Sequence, residues 1–240
     1  MAEVFLVEVR AFQPGNTVQS NKDMLSDWAM SLLREARVPA PWVEDAWWGG
    51  SPPPAGVRRA LSAAGVLERL PAAGVHRAPG LDGQSALHAA AQAVASGDVH
   101  LALAGAGGED WTALALLAST HAVGRHNLAP RAQLLRRSAL PPAGSVPELT
   151  QTLSQLLKRT ELPPEELCAA ACFGIHALTL QSALGELGAP DVRVLAHQGL
   201  ADSLLLLPHL LAALKPAAPR GMLLSAAPDG ALLATVVQST

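Results

Sequence analysis

Tyrosine is absent from this 240-residue chain, aromatic residues make up 3% of it, cysteine occurs twice, and charged residues reach only 15%. Two cysteines are too few for a disulfide framework. Scarce charge beside 50% apolar residues excludes a disordered chain and leaves enough apolar surface for one large core or two small fused ones. A formal net charge of −3, with arginines scattered rather than clustered, excludes the basic field that nucleic acid or an anionic membrane requires. No apolar run approaches the roughly 18 residues of a membrane span. The opening MAEVFLVEVR has no basic stretch ahead of its apolar segment and no cleavage site, so a cytoplasmic protein is expected. The missing tyrosine and the excess of Ala, Leu and Pro reflect genome composition and exclude nothing further.

What is present is an alternation of strands and helices. VFLVEV (Val4 to Val9) reads as a buried strand, and SNKDMLSDWAMSLLREA carries Met24, Leu25, Trp28, Leu32 and Leu33 at helical spacing behind a Ser/Asn start. VPAPWVEDAWWGG follows as a short strand bounded by prolines, and PPAGVRRALSAAG as a helix ending at Gly65. AGVHRAP is a short strand, GQSALHAAAQAVASG a helix ending at Gly97, and VHLALAGAGG a buried strand running into glycines. This order predicts an α/β protein.

The second half repeats the first at an offset near 120 residues. LTQTLSQLLKRTELPPEELCAAACFG lies over LSDWAMSLLREARVPAPWVEDAWWGG as helix, proline turn, short apolar strand and glycine. VRVLAHQGLADSLLLLPHLLAAL lies over GVHRAPGLDGQSALHAAAQAV, and GMLLSAAPDGALLATVV over VHLALAGAGGEDWTAL. A constant offset argues for internal duplication. The expected organisation is an N-terminal half over 1–119, a connecting segment over 120–144 marked by Gly, Asn and Pro, and a C-terminal half over 145–240.

GLDGQSALH (Gly80 to His88) has the form of a nucleophile elbow, a strand, a tight glycine turn and a buried helix, yet its tip is Gly80. Asp82 and His88 near it form a dyad only if both face a pocket; otherwise the helix dipole accounts for the carboxylate. Cys168 and Cys172 with His176 suggest a metal set, but residues eight apart on a helix lie about 12 Å apart, too far for one ion, so small buried apolar cysteines are expected and no metal. AGAGG lacks the Lys-Ser/Thr ending and spacing of a phosphate loop. Arg125, Arg131, Arg136 and Arg137 could contact a phosphopantetheine carrier; runs of this size otherwise make a solvated face.

Over nearly its whole length the chain resembles the thiolase family of the thiolase and ketoacyl synthase superfamily. EVFLVEVRAFQPG is similar to the opening strand and basic turn of that family, and VPAPWVEDAWWG to its second strand. GLDGQSALHAAAQAVASGDVHLALAGAGGED resembles the nucleophile helix and the following glycine-rich strand, with Glu109 and Asp110 at an acidic, mainly structural position. AHQGLADSLLLLPHLLAAL resembles the Gly-His-Pro turn and its helix. The implied fold is a thiolase-like five-layer αβαβα sandwich of two duplicated halves.

The resemblance carries little of the chemistry. By it, Gly80 stands where a thiolate must attack the acyl thioester. The stretch Ala170-Ala171-Cys172-Phe173 stands where an Asn-Glu-Ala-Phe motif holds an oxyanion-hole water, and keeps only the phenylalanine. Ser225 or Ala226 lies nearest the second catalytic cysteine, and His197 alone keeps a catalytic identity, with Gln198 in place of its proline. The connecting segment replaces the long loop domain that supplies most of the family's coenzyme A surface.

The implied protein is a catalytically degenerate, non-catalytic subunit or scaffold related to acyl-CoA acyltransferases, without cofactor. It would form a homodimer, or a heterodimer with an active thiolase or ketosynthase-like protein, by pairing the strand GVHRAP across the interface, with an acyl thioester as the candidate ligand. The alternatives are a divergent acyltransferase or acyl-thioester hydrolase using His197 with Ser225, Asp82 or a water, and an acyl-ligand-binding module.

Overall fold

The computed structural model describes residues 2–12, 21–50, 54–66, 75–78, 82–108, 111–196, 202–214, 220–226 and 231–240. Two compact units divide it, Met1–Arg131 and Ala132–Thr240. In the first, strand β1 (Val4–Phe12), helix α1 (Asn21–Ala36), a 3-10 turn (Ala40–Trp42), β2 (Asp45–Gly50), α2 (Pro54–Ala63) and β3 (Val75–Arg77) follow in order. Then come α3 (Gly83–Ser96), β4 (Leu101–Gly107), β5 (Thr112–Ser119) and α4 (Thr120–His126). The strands lie in the order β3-β2-β4-β5-β1. β2 runs parallel to β3 and β4, and β5 runs antiparallel to β4 and β1.

Every residue of β4 and β5 is buried, which is why LALAGAG and TALALLAS read as continuous apolar runs. Leu25, Ala29, Leu32 and Leu33 give α1 one apolar face, which packs with Val57 and Leu61 of α2 and with Leu114 and Leu116 of β5. α3 lies on β2, β4 and β5 and ends at Gly97, whose φ of 87° is the left-handed cap expected from the sequence.

The second unit repeats this order: β6 (Ala132–Leu140), α5 (Val146–Arg159), a 3-10 turn (Pro164–Glu166), β7 (Leu167–Phe173), α6 (Ala177–Glu186) and β8 (Arg193–Leu195). A 3-10 turn (Ser203–Leu206) leads into α7 (Leu207–Ala213), followed by β9 (Arg220–Ala226) and β10 (Leu232–Ser239). Its strands lie in the order β8-β7-β9-β10-β6, which is the first unit's order element for element. Even the irregularity recurs. Val7 is an extra residue between Leu6 and Glu8 against β5, and Leu135 is an extra residue between Leu134 and Arg136 against β10.

The segment 120–144, expected as a connection, holds helix α4 and strand β6. Arg136 and Arg137 in mid-strand and the bulge at Leu135 break the period-two alternation that would have marked β6. The second unit therefore begins at its own opening strand, and its core joins Leu140 to Leu149, Leu153 and Leu156 of α5.

Candidate functional site at the strand ends

In an open α/β sheet, ligands sit beyond the carboxyl ends of the parallel strands. In the first unit those ends are Gly50, Arg77 and Gly107, where α3 begins. The geometry there demands glycine. A Cβ on Gly49 would lie 2.3 Å from the carbonyl oxygen of Asp82, and Gly50 has φ +78° with its Cβ direction 2.7 Å from the Gly107 oxygen. The chain leading into α3 thus crosses directly over the end of β2.

Asp82 is the N-cap of α3. Ser85 N donates to its Oδ1 at 2.7 Å and Ser85 Oγ to its Oδ2 at 3.0 Å. With both oxygens so engaged, Asp82 stabilises the helix start, and His88, half-buried, lies further along α3. Gln84 and Ser85 are buried beside it. Gly80, Glu109 and Asp110 lie outside the described residues. On β3, His76 Nε2 is 3.1 Å from Asp45 Oδ2 and its ring stacks on Trp47 at 5.0 Å.

In the second unit the corresponding ends are Phe173, Leu195 and Ala226. Ala170 is in the middle of β7, between Val194 and Met222, fully buried in the core with Cys172, Leu180 and Leu184. Burial pushes the Cys172 thiol up to about 11, so it carries no thiolate near neutrality. Cys168 is also buried, its Sγ 3.8 Å from the Ala213 oxygen. His176 is the N-cap residue of α6, and no His, Cys, Asp or Glu cluster suited to a metal occurs among the described residues.

Ser225 is buried near the end of β9, its Oγ without a hydrogen-bond partner among the described residues. Ser203 is in the same condition at the start of the turn that precedes α7 and packs on β7 and β9. Asp202 caps that turn, accepting from Leu204 N at 2.8 Å. His197 lies outside the described residues. Asp202 and Ser203 were missed by motif reading, although Asp-Ser ahead of an apolar run is a helix-start signature. Ser225 and Ser203 are thus buried hydroxyls with hydrogen-bonding capacity unused among the described residues, while the Asp202 carboxylate is engaged by the turn it caps.

The four arginines have separate surroundings. Arg131 reaches buried Glu8 through Nε at 3.1 Å and NH2 at 2.8 Å. Burial lowers the pKa of Arg137, Arg136 is exposed, and Arg125 lies in the last turn of α4.

No family model and no curated protein matches the chain. Solved structures do. A thiolase from Ascaris suum, Acat5, in complex with coenzyme A superposes with a TM-score of 0.78 at 13% identity, over 99% of this chain and 100% of that one. Human mitochondrial 3-ketoacyl-CoA thiolase, in complex with CoA, gives a TM-score of 0.75 at 12% identity over 100% of this chain and 98% of that one. The fold is therefore thiolase-like α/β. Among the described residues no helix is long and apolar enough to cross a membrane.

Proposed function

We propose that this chain is a catalytically degenerate thiolase-like protein, a non-catalytic subunit or scaffold related to acyl-CoA acyltransferases. One observation carries the reading: the chain's two cysteines both lie buried in β7 of the second unit, not at the start of α3 in the first, and burial raises the thiol of Cys172, so Cys172 offers no thiolate for acyl transfer near neutrality. The sequence has Gly80 at the elbow, and Asp82 behind it is used up in capping α3. Ala170, at the position the resemblance gives to a water-holding Asn, is a core residue.

β3 is the terminal strand of the first unit's sheet, with His76 and Arg77 exposed, and suits pairing with a second copy or an active homologue. A second reading, an acyl-thioester hydrolase, is favoured by the buried hydroxyl of Ser225, which has no hydrogen-bond partner among the described residues, with His197 as the base. Intact mass after incubation with acetoacetyl-CoA separates them. The unmodified mass is expected, with no thiolytic activity; an acyl adduct lost on Ser225→Ala would establish the hydrolase reading instead.

A further inference from the structure

Beside the terminal strand of the second unit lies a cleft of about 350 Å³. Four consecutive residues, Arg193 to Ala196, line one wall of it, and Leu206, His209, Ala212 and Ala213 line the other. Successive side chains of a strand point to opposite faces. α7 packs on β7, β8 and β9, so the cleft lies between that helix and β8, the terminal strand, and takes in main chain as well as side chains of Arg193 to Ala196. β8 pairs with β7 alone among the described residues, so the other edge of β8 has no ladder partner there.

The helical wall supplies room and polarity. Leu206, His209 and Ala213 share one face of the turn and helix, and the two alanines keep it shallow. Arg193 and His209 are exposed, and neither side chain makes a hydrogen bond or ion pair with another described residue. An unpaired guanidinium and an imidazole thus flank a main-chain edge backed by Val194, Leu195 and Leu206. A guanidinium fork fits a carboxylate in a two-bond arrangement.

We propose that this cleft binds an extended acidic segment of a partner protein, which lies along β8 as an added strand, places apolar side chains on Val194 and Leu206, and sets a carboxylate on Arg193 and His209. Main-chain bonds to β8 would supply the register, and the charge of Arg193 the selection for an acidic segment. The proposal does not depend on whether the elbow at Gly80 is inert.

Fluorescence anisotropy of the full chain with labelled hexapeptides tests it: alternating Val and Glu, alternating Val and Lys, and the Glu peptide with a central proline. Saturable binding of the Val-Glu peptide is expected, weakened about tenfold or more by the change to Lys, by the proline, and by Arg193→Glu in the protein. Both arginine and histidine are exposed, so Arg193→Glu and His209→Ala should melt as the parent does. Amide hydrogen exchange should slow at residues 193–196 on binding. Absence of saturation overturns the proposal. Equal binding of the proline-containing peptide overturns it too, since charge alone would then suffice, as does protection at β3 with none at β8.

Discussion

In the first unit Trp48 of β2 lies opposite Gly105 of β4, and in the second Cys172 of β7 lies opposite Leu224 of β9. These are equivalent places, each two residues before a left-handed glycine, Gly50 in one unit and Gly174 in the other. A Cβ on Gly105 would fall 2.5 Å from the Trp48 ring, so the glycine is the space the indole occupies. In the second unit the large and small partners have changed strands. The comparison teaches that the duplication kept strand order, bulge and filled volume per layer while residue identity drifted. It also gives Cys172 a plain role: it is the small half of a packing pair, and burial holds it protonated.

The largest effect should come from breaking this exchange. Gly105→Leu puts a leucine where Trp48 already sits, and overpacking of this kind costs about 3 kcal/mol or more, since the clash is with a ring buried in the core and with the Leu114 side chain. Trp48→Cys together with Gly105→Leu copies the second unit's pair into the first and should recover at least half of the loss. Urea denaturation of the three proteins measures it. A double variant no more stable than Gly105→Leu alone would mean that the two units do not share this layer.

Next in size is the residue after the bulge. Glu8 stands there in β1 and Arg136 in β6. Glu8 is 4% exposed and its carboxylate is held by Arg131 and by Val9 N, whereas Arg136 is exposed. Arg131→Ala leaves a buried carboxylate without its cation and should cost about 2 kcal/mol, below the full buried-pair value because the Arg131 side chain is half-exposed. Arg136→Ala should change stability by less than about 0.5 kcal/mol. Thermal melts that ranked the two the other way would place the charge dependence in the second unit.

Much of the fold was legible because the signals were local and repeated. Helical spacing marked α1, the glycine cap at Gly97 marked the end of α3, and the offset of about 120 residues carried each assignment into the other half. β6 was not, because two arginines and a bulge interrupt its alternation within a segment that also contains turn residues. Of the site, Asp82 was legible as a carboxylate at the start of a helix, and the reason for the glycines ending β2 was not: that Gly49 lies against Asp82 is a contact between residues 33 apart, which no spacing records. Ser203 was hidden for a related reason, as was the burial of Ser225, which the resemblance had named: a serine declares its burial only once the strands around it are placed.

An effect that is nil at neutrality sharpens the comparison through pH. Cys172 has its thiol pKa raised from 9.0 to about 11 by burial, while Trp48 in the equivalent place has no ionisable group. Between those values the unfolded chain releases the thiol proton and the folded chain keeps it, so the folded state binds more protons and stability must fall as pH rises. The loss begins near pH 9 and levels off near 11, and is nil at neutrality. Cys172→Ala removes this dependence while opening a small cavity, so its stability should be lower than the parent's at pH 8 and converge towards it by pH 11. Denaturant midpoints at the two pH values give the result. In the native protein at pH 8 a thiol reagent should leave Cys172 unmodified until the chain unfolds. Rapid native labelling at Cys172, or parallel pH curves for the two proteins, would show a thiol accessible to solvent and remove the packing role assigned to it.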